Sequence, residues 1–240
     1  MIILRSALFN ILFYAITALV AVIAVPALLA PAIIARQLGI FWGWFTNQLL
    51  VIAGISHRLS GDKHLNSQVI YAAKHQSAWE TMSLCWHLNA PVIVLKKELL
   101  RLPVIGWLMQ KAGVIAVDRK AGMKALKQLK SDAMAAAATG RSIQIYPQGT
   151  RVPTGVKADY QIGIYAIYQA TNLPVVPIAL NSAQCWGPRA FAKKPGIIDV
   201  VFLPEIPAGL SRAQFMERLE TVIETKTAEL EQQFIKHGKG

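Results

Sequence analysis

The stretch Gln68-Val-Ile-Tyr-Ala-Ala-Lys-His-Gln-Ser-Ala-Trp-Glu80 joins an apolar run of strand length to a plausible helix. This change of pattern predicts a buried strand followed by a turn over residues 74–80. His75 is a potential general base, and Glu80 is a carboxylate that can orient its imidazole and stabilise the charged form. We expect the two side chains to meet if His75 precedes the first helical turn.

The same residues also have a structural interpretation. Ser77 and Glu80 are spaced as a capping box, in which both side chains satisfy backbone N–H groups at the start of a helix. Ser77 is alternatively a nucleophile beside His75, but the Gly-x-Ser-x-Gly elbow that presents such a serine is missing. The meaning of the His–acid pair therefore depends on the rest of the chain.

From this turn onward, short apolar runs alternate with helical patterns. Strands are predicted over residues 68–73, 92–95, 113–117, 142–146, 175–180 and 197–202. Helices are predicted over residues 78–88, 99–111, 121–138, 159–171 and 211–236. The last helix opens with a capping box at Ser211 and Gln214. Such alternation predicts an α/β fold with a mainly parallel sheet flanked by helices.

An apolar leader precedes this fold. Residues 6–35 carry no charge and exceed the roughly 20 residues that cross a bilayer as a helix. Pro26 and Pro31 should bend or end that helix. A second uncharged run, residues 38–56, is rich in aromatic side chains suited to the headgroup level. We expect either two membrane helices or one inserted helix followed by an interfacial one. A cleaved signal peptide is the alternative, although the first run is longer than usual for one.

We place the membrane-anchoring helical segment at residues 1–58 and the α/β domain at residues 59–240. The chain carries 25 Lys and Arg against 13 Asp and Glu, and only Arg5 and Arg36 precede residue 57. A basic domain behind an apolar leader suits an anionic membrane surface, an acidic carrier or a phosphorylated substrate. Nucleic acid is a poorer candidate because no recognition motif or aromatic-interleaved basic stripe is present.

Four of these basic residues share one sector of the helix predicted over residues 121–138. They are Lys120, Lys124, Lys127 and Lys130. Such a face is usually solvated, and docking onto anionic lipid or an acidic acyl carrier is the alternative.

The cysteines and histidines do not indicate a metal site. Cys85 and Cys185 are 100 residues apart without a Cys-x-x-Cys pattern, which predicts buried free thiols in a reducing compartment. The five histidines are scattered and form no HExxH motif.

A second candidate element is Tyr146-Pro-Gln-Gly-Thr-Arg151, which ends a predicted strand and opens a loop. Gly149 lets the backbone approach a ligand closely, Thr150 offers a hydroxyl, and Arg151 offers a forked guanidinium suited to phosphate. By itself, a Pro-x-Gly segment after a strand is also an ordinary turn.

Together these residues resemble the glycerolipid acyltransferases, specifically the 1-acyl-sn-glycerol-3-phosphate (lysophosphatidate) acyltransferases. His75 with an acid five positions later resembles their H-x-x-x-x-D block, and Tyr146–Arg151 resembles their [FY]-P-E-G-T-R block. Two weaker blocks match in the same order, at residues 97–119 and 175–180. The resemblance therefore spans about residues 70–180 in four ordered blocks.

Two positions depart from the family pattern. Glu80 stands where the family usually has Asp, so the geometry between histidine and acid must adjust to one more methylene. Gln148 stands where the family usually has Glu. We expect this second change to remove a charge near the phosphate site, so that acceptor preference can differ.

The resemblance implies direct transfer of an acyl chain from acyl-coenzyme A or acyl-carrier protein to the sn-2 hydroxyl of lysophosphatidic acid, giving phosphatidic acid. His75 would be the general base, with Glu80 as its partner and backbone N–H groups after Ser77 as oxyanion donors. The residues implied in binding the acceptor phosphate are Gly149, Thr150, Arg151, Arg119 and Lys97. No metal or other cofactor is expected, because a thioester is already activated.

The expected location is a membrane, with the catalytic domain on the cytoplasmic face of a bacterial inner membrane. Three alternatives stay open. One is the same transfer to another lysolipid, such as lyso-ornithine lipid. Another is a non-catalytic, membrane-anchored lipid-binding protein, and the third is a membrane-anchored hydrolase.

Overall fold

Seven strands form one mostly parallel sheet in the computed structural model, which describes residues 1–237. They are β1 (Ile55–Ser60), β2 (Ile70–Ala73), β3 (Val92–Lys96), β4 (Ile115–Val117), β5 (Ile143–Ile145), β6 (Val175–Leu180) and β7 (Gly196–Phe202). Their order across the sheet is β1-β7-β6-β2-β5-β3-β4. β6 and β7 pair antiparallel, and the other neighbouring strands pair parallel. The predicted mainly parallel α/β fold is confirmed.

Helices cover both faces of this sheet. They are α1 (Ile2–Ile23), α2 (Ala32–Leu50), α3 (Trp79–His87), α4 (Ile105–Ala112), α5 (Gly122–Ala137), α6 (Gly163–Thr171) and α7 (Arg212–His237). The capping box predicted at the start of α7 forms, because Ser211 and Gln214 exchange hydrogen bonds between side chain and backbone N–H. The helix predicted over residues 99–111 is wrong in its first part. Leu102 is extended before Pro103, which divides the segment into a short 3-10 helix and α4.

The central strand, β2, is buried on both faces. Ile70 and Ala72 belong to a core formed with α5, α6 and α7, whereas Tyr71 and Ala73 belong to a core formed with α1, α2 and α3. This alternation follows from the two-residue period of a strand. A strand enclosed in this way holds its carboxyl end, and the turn that follows it, in a fixed place.

The predicted domain boundary after residue 58 falls inside β1. This strand pairs in parallel with β7 from Ile55 opposite Gly196 onward, so the sheet already begins at residue 55. The strand was not predicted because its first residues belong to the apolar run of residues 38–56. In the structure its exposed Ser56, Arg58 and Ser60 alternate with more buried residues. At the other end, residues 238–240 of the predicted domain lie outside the described residues.

The apolar leader forms two helices, and the prolines act as predicted. α1 ends at Ile23, Pro26 lies in a short 3-10 helix, and Pro31 immediately precedes α2. Among residues 1–237, α1 is the one helix whose length and composition would allow it to cross a membrane.

α2 packs against the domain. A side chain at Gly43 would collide with the Met82 carbonyl of α3, and Trp79 Nε1 donates to Asn47 Oδ1 at 2.9 Å. The second apolar run therefore contributes one helical face to the protein core, as well as exposing apolar side chains such as Phe41 and Trp44.

One face of α1, as far as Ile16, also belongs to the domain. Ser6 and Phe9 are fully buried, and the Phe9 ring meets the Trp186 ring edge-on at 5.4 Å. Lys193 donates to Ser6 through its backbone N–H and to Asn10 through Nζ, at 2.8 and 2.9 Å. Burial lowers the pKa of Lys193 to about 8. The later part of α1 exposes large apolar side chains, namely Ile11, Tyr14, Leu19, Val22 and Ile23.

Two histidines that lie far apart in the sequence meet between β1 and α3. The Nε2 atoms of His57 and His87 are 3.1 Å apart. Burial lowers the pKa of His87 to about 3, with His57 and Lys63 adding to the effect. Burial also lowers the pKa of His57, again helped by Lys63.

We expect acid to destabilise the fold through this pair. The unfolded chain has a His87 pKa of 6.5 and the folded chain one of about 3, so the unfolded chain binds more protons between these values. Stability contributed by neutral His87 is therefore complete above pH 6.5 and is lost as the pH falls toward 3. His87→Gln should flatten this dependence. Urea unfolding above pH 6.5 and at about pH 4.5 measures it, and equal losses in both proteins would contradict the assignment.

Candidate active site

His75 and Glu80 are in direct contact. His75 lies in the turn between β2 and α3, and its Nδ1 is 2.8 Å from Glu80 Oε1. A carboxylate oxygen only accepts hydrogen bonds, so in the neutral imidazole Nδ1 carries the proton and Nε2 keeps its lone pair. The His75 side chain is 13% exposed, whereas that of Glu80 is 0% exposed. This arrangement suits a base held by a buried acid.

Every oxygen of the buried Glu80 carboxylate has a partner. Oε1 also accepts from the backbone N–H groups of Gln76 and Ser77, both at 2.6 Å. Oε2 accepts from Ser182 Oγ at 2.9 Å. One carboxylate oxygen thus holds both the turn and the imidazole, so the structural and the chemical interpretations of Glu80 describe the same contact.

Half of the capping box predicted at Ser77 forms. Glu80 accepts from the Ser77 N–H, but Ser77 Oγ accepts from the Trp79 N–H at 3.1 Å. Ser77 is also fully buried, which argues against its role as a nucleophile. Because Glu80 and Ser77 occupy the N–H groups of Gln76, Ser77 and Trp79, these three groups are not available as oxyanion donors.

The Tyr146 ring forms one wall of the site. It stacks on the His75 imidazole, with ring centroids 4.1 Å apart and an angle of 24° between the planes. Its hydroxyl accepts from Gln144 Nε2 at 2.7 Å. Burial raises the pKa of Tyr146 well above its ordinary value, so the phenol stays neutral. We infer that this ring limits rotation of the imidazole.

The loop after β5 is joined to His75 through its backbone. The N–H of Val152 donates to the carbonyl of His75 at 2.8 Å. Parallel neighbours of β2 on both sides end at this edge of the sheet, so the segments after β2, β5 and β6 converge here. Ser182, which follows β6, reaches Glu80 in this way.

Of the predicted phosphate-binding residues, three lie in the loop after β5, and Arg119 reaches that loop from the segment after β4. Gly149 has φ +67°, and a Cβ there would be 3.1 Å from Arg119 Nη2, so the guanidinium lies against the loop backbone. Lys97 Nζ is 3.6 Å from Asp118 Oδ2, next to Arg119 in the chain. Thr150 and Arg151 are exposed in the loop that carries Gly149. Partial burial lowers the pKa of Arg119, and Glu98 opposes that shift.

Several residues at the site were missed by the sequence reasoning. Ser182 had a weak signal, since it directly follows the strand of the fourth block. The others lie at the contact between the turn and α7, and their chemical types gave no signal; they are Lys74, Gln76, Glu224 and Glu231.

The two cysteines form no disulfide bond. Cys85 and Cys185 are free, and burial raises their pKa values to about 11 and about 12, so both thiols stay protonated near neutral pH. In the part of the chain that the structure describes, no group of three or more His, Cys, Asp or Glu side chains could hold a metal ion.

Comparison with known proteins identifies the family. Residues 56–181 match the protein family described as Acyltransferase. A 1-acyl-sn-glycerol-3-phosphate acyltransferase of Pseudomonas aeruginosa is 34% identical over 201 residues, which cover 81% of this chain and 77% of that protein. The chain belongs to the 1-acyl-sn-glycerol-3-phosphate acyltransferase family.

Two further comparisons agree. The 1-acyl-sn-glycerol-3-phosphate acyltransferase of Limnanthes douglasii is 27% identical over 173 residues, covering 71% of this acyltransferase and 62% of that protein. The fold is similar to the crystal structure of the 1-acyl-sn-glycerophosphate (LPA) acyltransferase PlsC of Thermotoga maritima. The TM-score is 0.76 at 18% identity, covering 96% of this chain and 99% of that one. The predicted family and enzyme class are confirmed.

We expect Glu80→Gln to separate the structural and chemical roles of this residue in the acyltransferase. An amide oxygen can keep the backbone bonds to Gln76 and Ser77, whereas the negative charge beside His75 is lost. Folding should be nearly normal, and turnover should fall about 10²- to 10⁴-fold. Thermal unfolding and acyl transfer measure the two effects. Unchanged turnover in a folded variant would mean that Glu80 only caps the start of the helix.

Proposed function

We propose that this enzyme transfers an acyl chain from acyl-coenzyme A or acyl-carrier protein to the sn-2 hydroxyl of lysophosphatidic acid, giving phosphatidic acid. The observation that supports it most is the contact between His75 Nδ1 and the buried Glu80, which leaves Nε2 as an acceptor. The nearby cations and the names of the relatives support an anionic lipid acceptor.

In this proposal His75 Nε2 takes the proton from the acceptor hydroxyl while the hydroxyl oxygen attacks the thioester carbonyl. Glu80 stabilises the imidazolium that forms. The tetrahedral intermediate then expels the thiolate, and His75 returns the proton to sulfur, which yields the free thiol and the new ester. The thioester is already activated, so the proposal needs no metal or other cofactor.

We propose that the acceptor phosphate binds between Gly149 and the cations around it. Arg119 is already partly desolvated against the Gly149 backbone, and a guanidinium presents two parallel donors to a phosphate. Thr150, Arg151 and Lys97 would add donors from the rim of the site. A zwitterionic lyso-ornithine lipid offers a carboxylate in place of a phosphate, so it stays as the alternative acceptor.

We expect Gly149→Ala to weaken acceptor binding. The new Cβ would be 3.1 Å from Arg119 Nη2 and would occupy a left-handed backbone conformation with φ +67°. The KM for lysophosphatidic acid should rise about tenfold, with a smaller change in kcat. Gly140→Ala is a matched control, because Gly140 has φ +75° with open space around it. If the two substitutions raise the KM equally, backbone strain explains the effect and the contact with Arg119 does not.

The attachment to a membrane rests on the exposed apolar surface of α1 and α2. Because Asn10 is bound to the domain and Leu12, Phe13 and Ile16 pack on its core, about seven residues of α1 extend beyond the domain, or about 10 Å of helix. The hydrocarbon core is about 30 Å thick, so we propose that α1 enters one leaflet. The exposed Lys120, Lys124 and Lys127 favour the anionic cytoplasmic leaflet or an acidic carrier. Lys130 instead donates to Gln169 at 3.0 Å.

Acyl transfer from labelled acyl-coenzyme A in detergent micelles tests the proposed reaction. Lysophosphatidic acid and lyso-ornithine lipid are offered separately to wild type, to His75→Ala and to a His64→Ala control at the opposite end of β2. We expect phosphatidic acid from wild type and the control, and a loss of about 10²-fold or more in His75→Ala. Flotation of the wild-type protein with anionic vesicles tests membrane attachment.

The other outcomes decide among the alternatives. Product from the ornithine lipid alone would keep the mechanism and change the acceptor. Release of free fatty acid without an acceptor would indicate a hydrolase. If coenzyme A thioesters are inert, acyl-carrier protein is the next donor. Equal activity of His75→Ala would eliminate His75 as the base, and inactivity with both donors would favour a lipid-binding protein.

A further inference from the structure

Two carboxylates of α7 reach the turn that carries His75. Glu224 accepts from Lys74 Nζ at 2.6 and 2.8 Å, and Glu231 accepts from Gln76 Nε2 at 2.7 Å. Lys74 and Gln76 immediately precede and follow His75. Both neighbours of the base are therefore bound to the same helix.

Glu224 also reaches the loop after β5. Gln148 Nε2 donates to Glu224 Oε1 at 3.2 Å, and Gln148 Oε1 accepts from the backbone N–H of His75 at 3.3 Å. A carboxylate only accepts and a peptide N–H only donates, so these two partners fix the orientation of the Gln148 amide. Tyr160 OH donates to the same carboxylate at 2.9 Å. Glu224 thus joins the turn, the loop and the segment before α6.

The location of this carboxylate changes the expectation for Gln148. Replacement of the family's usual Glu was expected to remove a negative charge from the site. The Glu224 carboxylate, however, lies within hydrogen-bond distance of the Gln148 amide and pairs with Lys74, whose side chain is 2% exposed. The negative charge at this point is contributed by α7.

We propose that Glu224 is a positioning residue for His75, acting through Gln148 and Lys74. The proposal rests on His75 being the base of the proposed function. Glu224 holds the Lys74 side chain and the Gln148 amide, and these fix the residue before His75 and the backbone N–H of His75 itself. Loss of this arrangement would shift His75 relative to the acceptor hydroxyl and the thioester carbonyl, which is a rate effect as well as a stability effect.

A charge exchange between positions 148 and 224 tests the proposal. Gln148→Glu alone places two carboxylates about 3 Å apart, which is repulsive. Glu224→Gln alone leaves the buried Lys74 without its counter-charge. The double variant Gln148→Glu/Glu224→Gln restores one carboxylate and one amide to the same cluster. Glu217→Gln, on the exposed face of α7, is the control.

We expect each single variant to lose about 10- to 100-fold in kcat per folded molecule, with an unchanged KM for the acyl donor. The double variant should recover most of that loss, and the control should match wild type. Unfolding temperatures should fall in the single variants and recover in the double variant. If the single variants unfold at lower temperatures but keep the wild-type kcat per folded molecule, the positioning role is wrong and Glu224 has only a structural role.

A measurement that does not depend on catalytic turnover separates this proposal from the proposed function. The imidazole signals of His75 in heteronuclear NMR spectra, assigned with His75→Ala, report its environment directly. They should move in both single variants and return in the double variant. If wild type transfers no acyl chain, the proposed function fails, and these signals still decide whether Glu224 positions His75. Unmoved signals in both single variants would overturn the inference.

Discussion

Burial of the Glu80 carboxylate is the constraint on which the site depends. A carboxylate removed from water costs several kcal/mol unless its oxygens are paired. Here the turn must fold back to present two N–H groups, β6 must deliver Ser182, and the His75 ring must present its Nδ1–H. The requirement that stabilises the turn therefore also sets the tautomer of His75, so folding and the proposed chemistry depend on the same contact.

The sheet order explains why segments distant in the sequence meet at this carboxylate. β2 is central, with β5 and β6 as parallel neighbours, so three carboxyl ends lie side by side. Six of the seven strands, the turn and the ordered blocks could be predicted, because each leaves a local signal of period, capping or composition. The order of the strands could not be predicted, because it depends on which faces pack together. β2, for example, contributes residues to two separate cores.

The missed features share one physical cause. His57 and His87 meet across 30 residues, and Lys74 and Glu224 across 150. An acid on an amphipathic helix has the same sequence pattern whether it faces solvent or a buried lysine. The edge strand β1 was missed for a related reason, because its first residues continue the apolar run that forms α2. The local sequence pattern indicates which residues are apolar, but it does not indicate which part of the protein packs against them.

The apolar leader is part of the domain core as well as the proposed membrane attachment. Phe9 and Leu50 are buried in the same cluster as Tyr71 and Ala73, so they pack on the strand whose end carries His75. A freely hinged anchor would let the site move relative to the lipid surface. A leader that shares a core with β2 would instead fix the distance between that surface and His75. For the proposed acceptor, which stays in the bilayer, this rigid connection would determine which part of the lipid reaches His75.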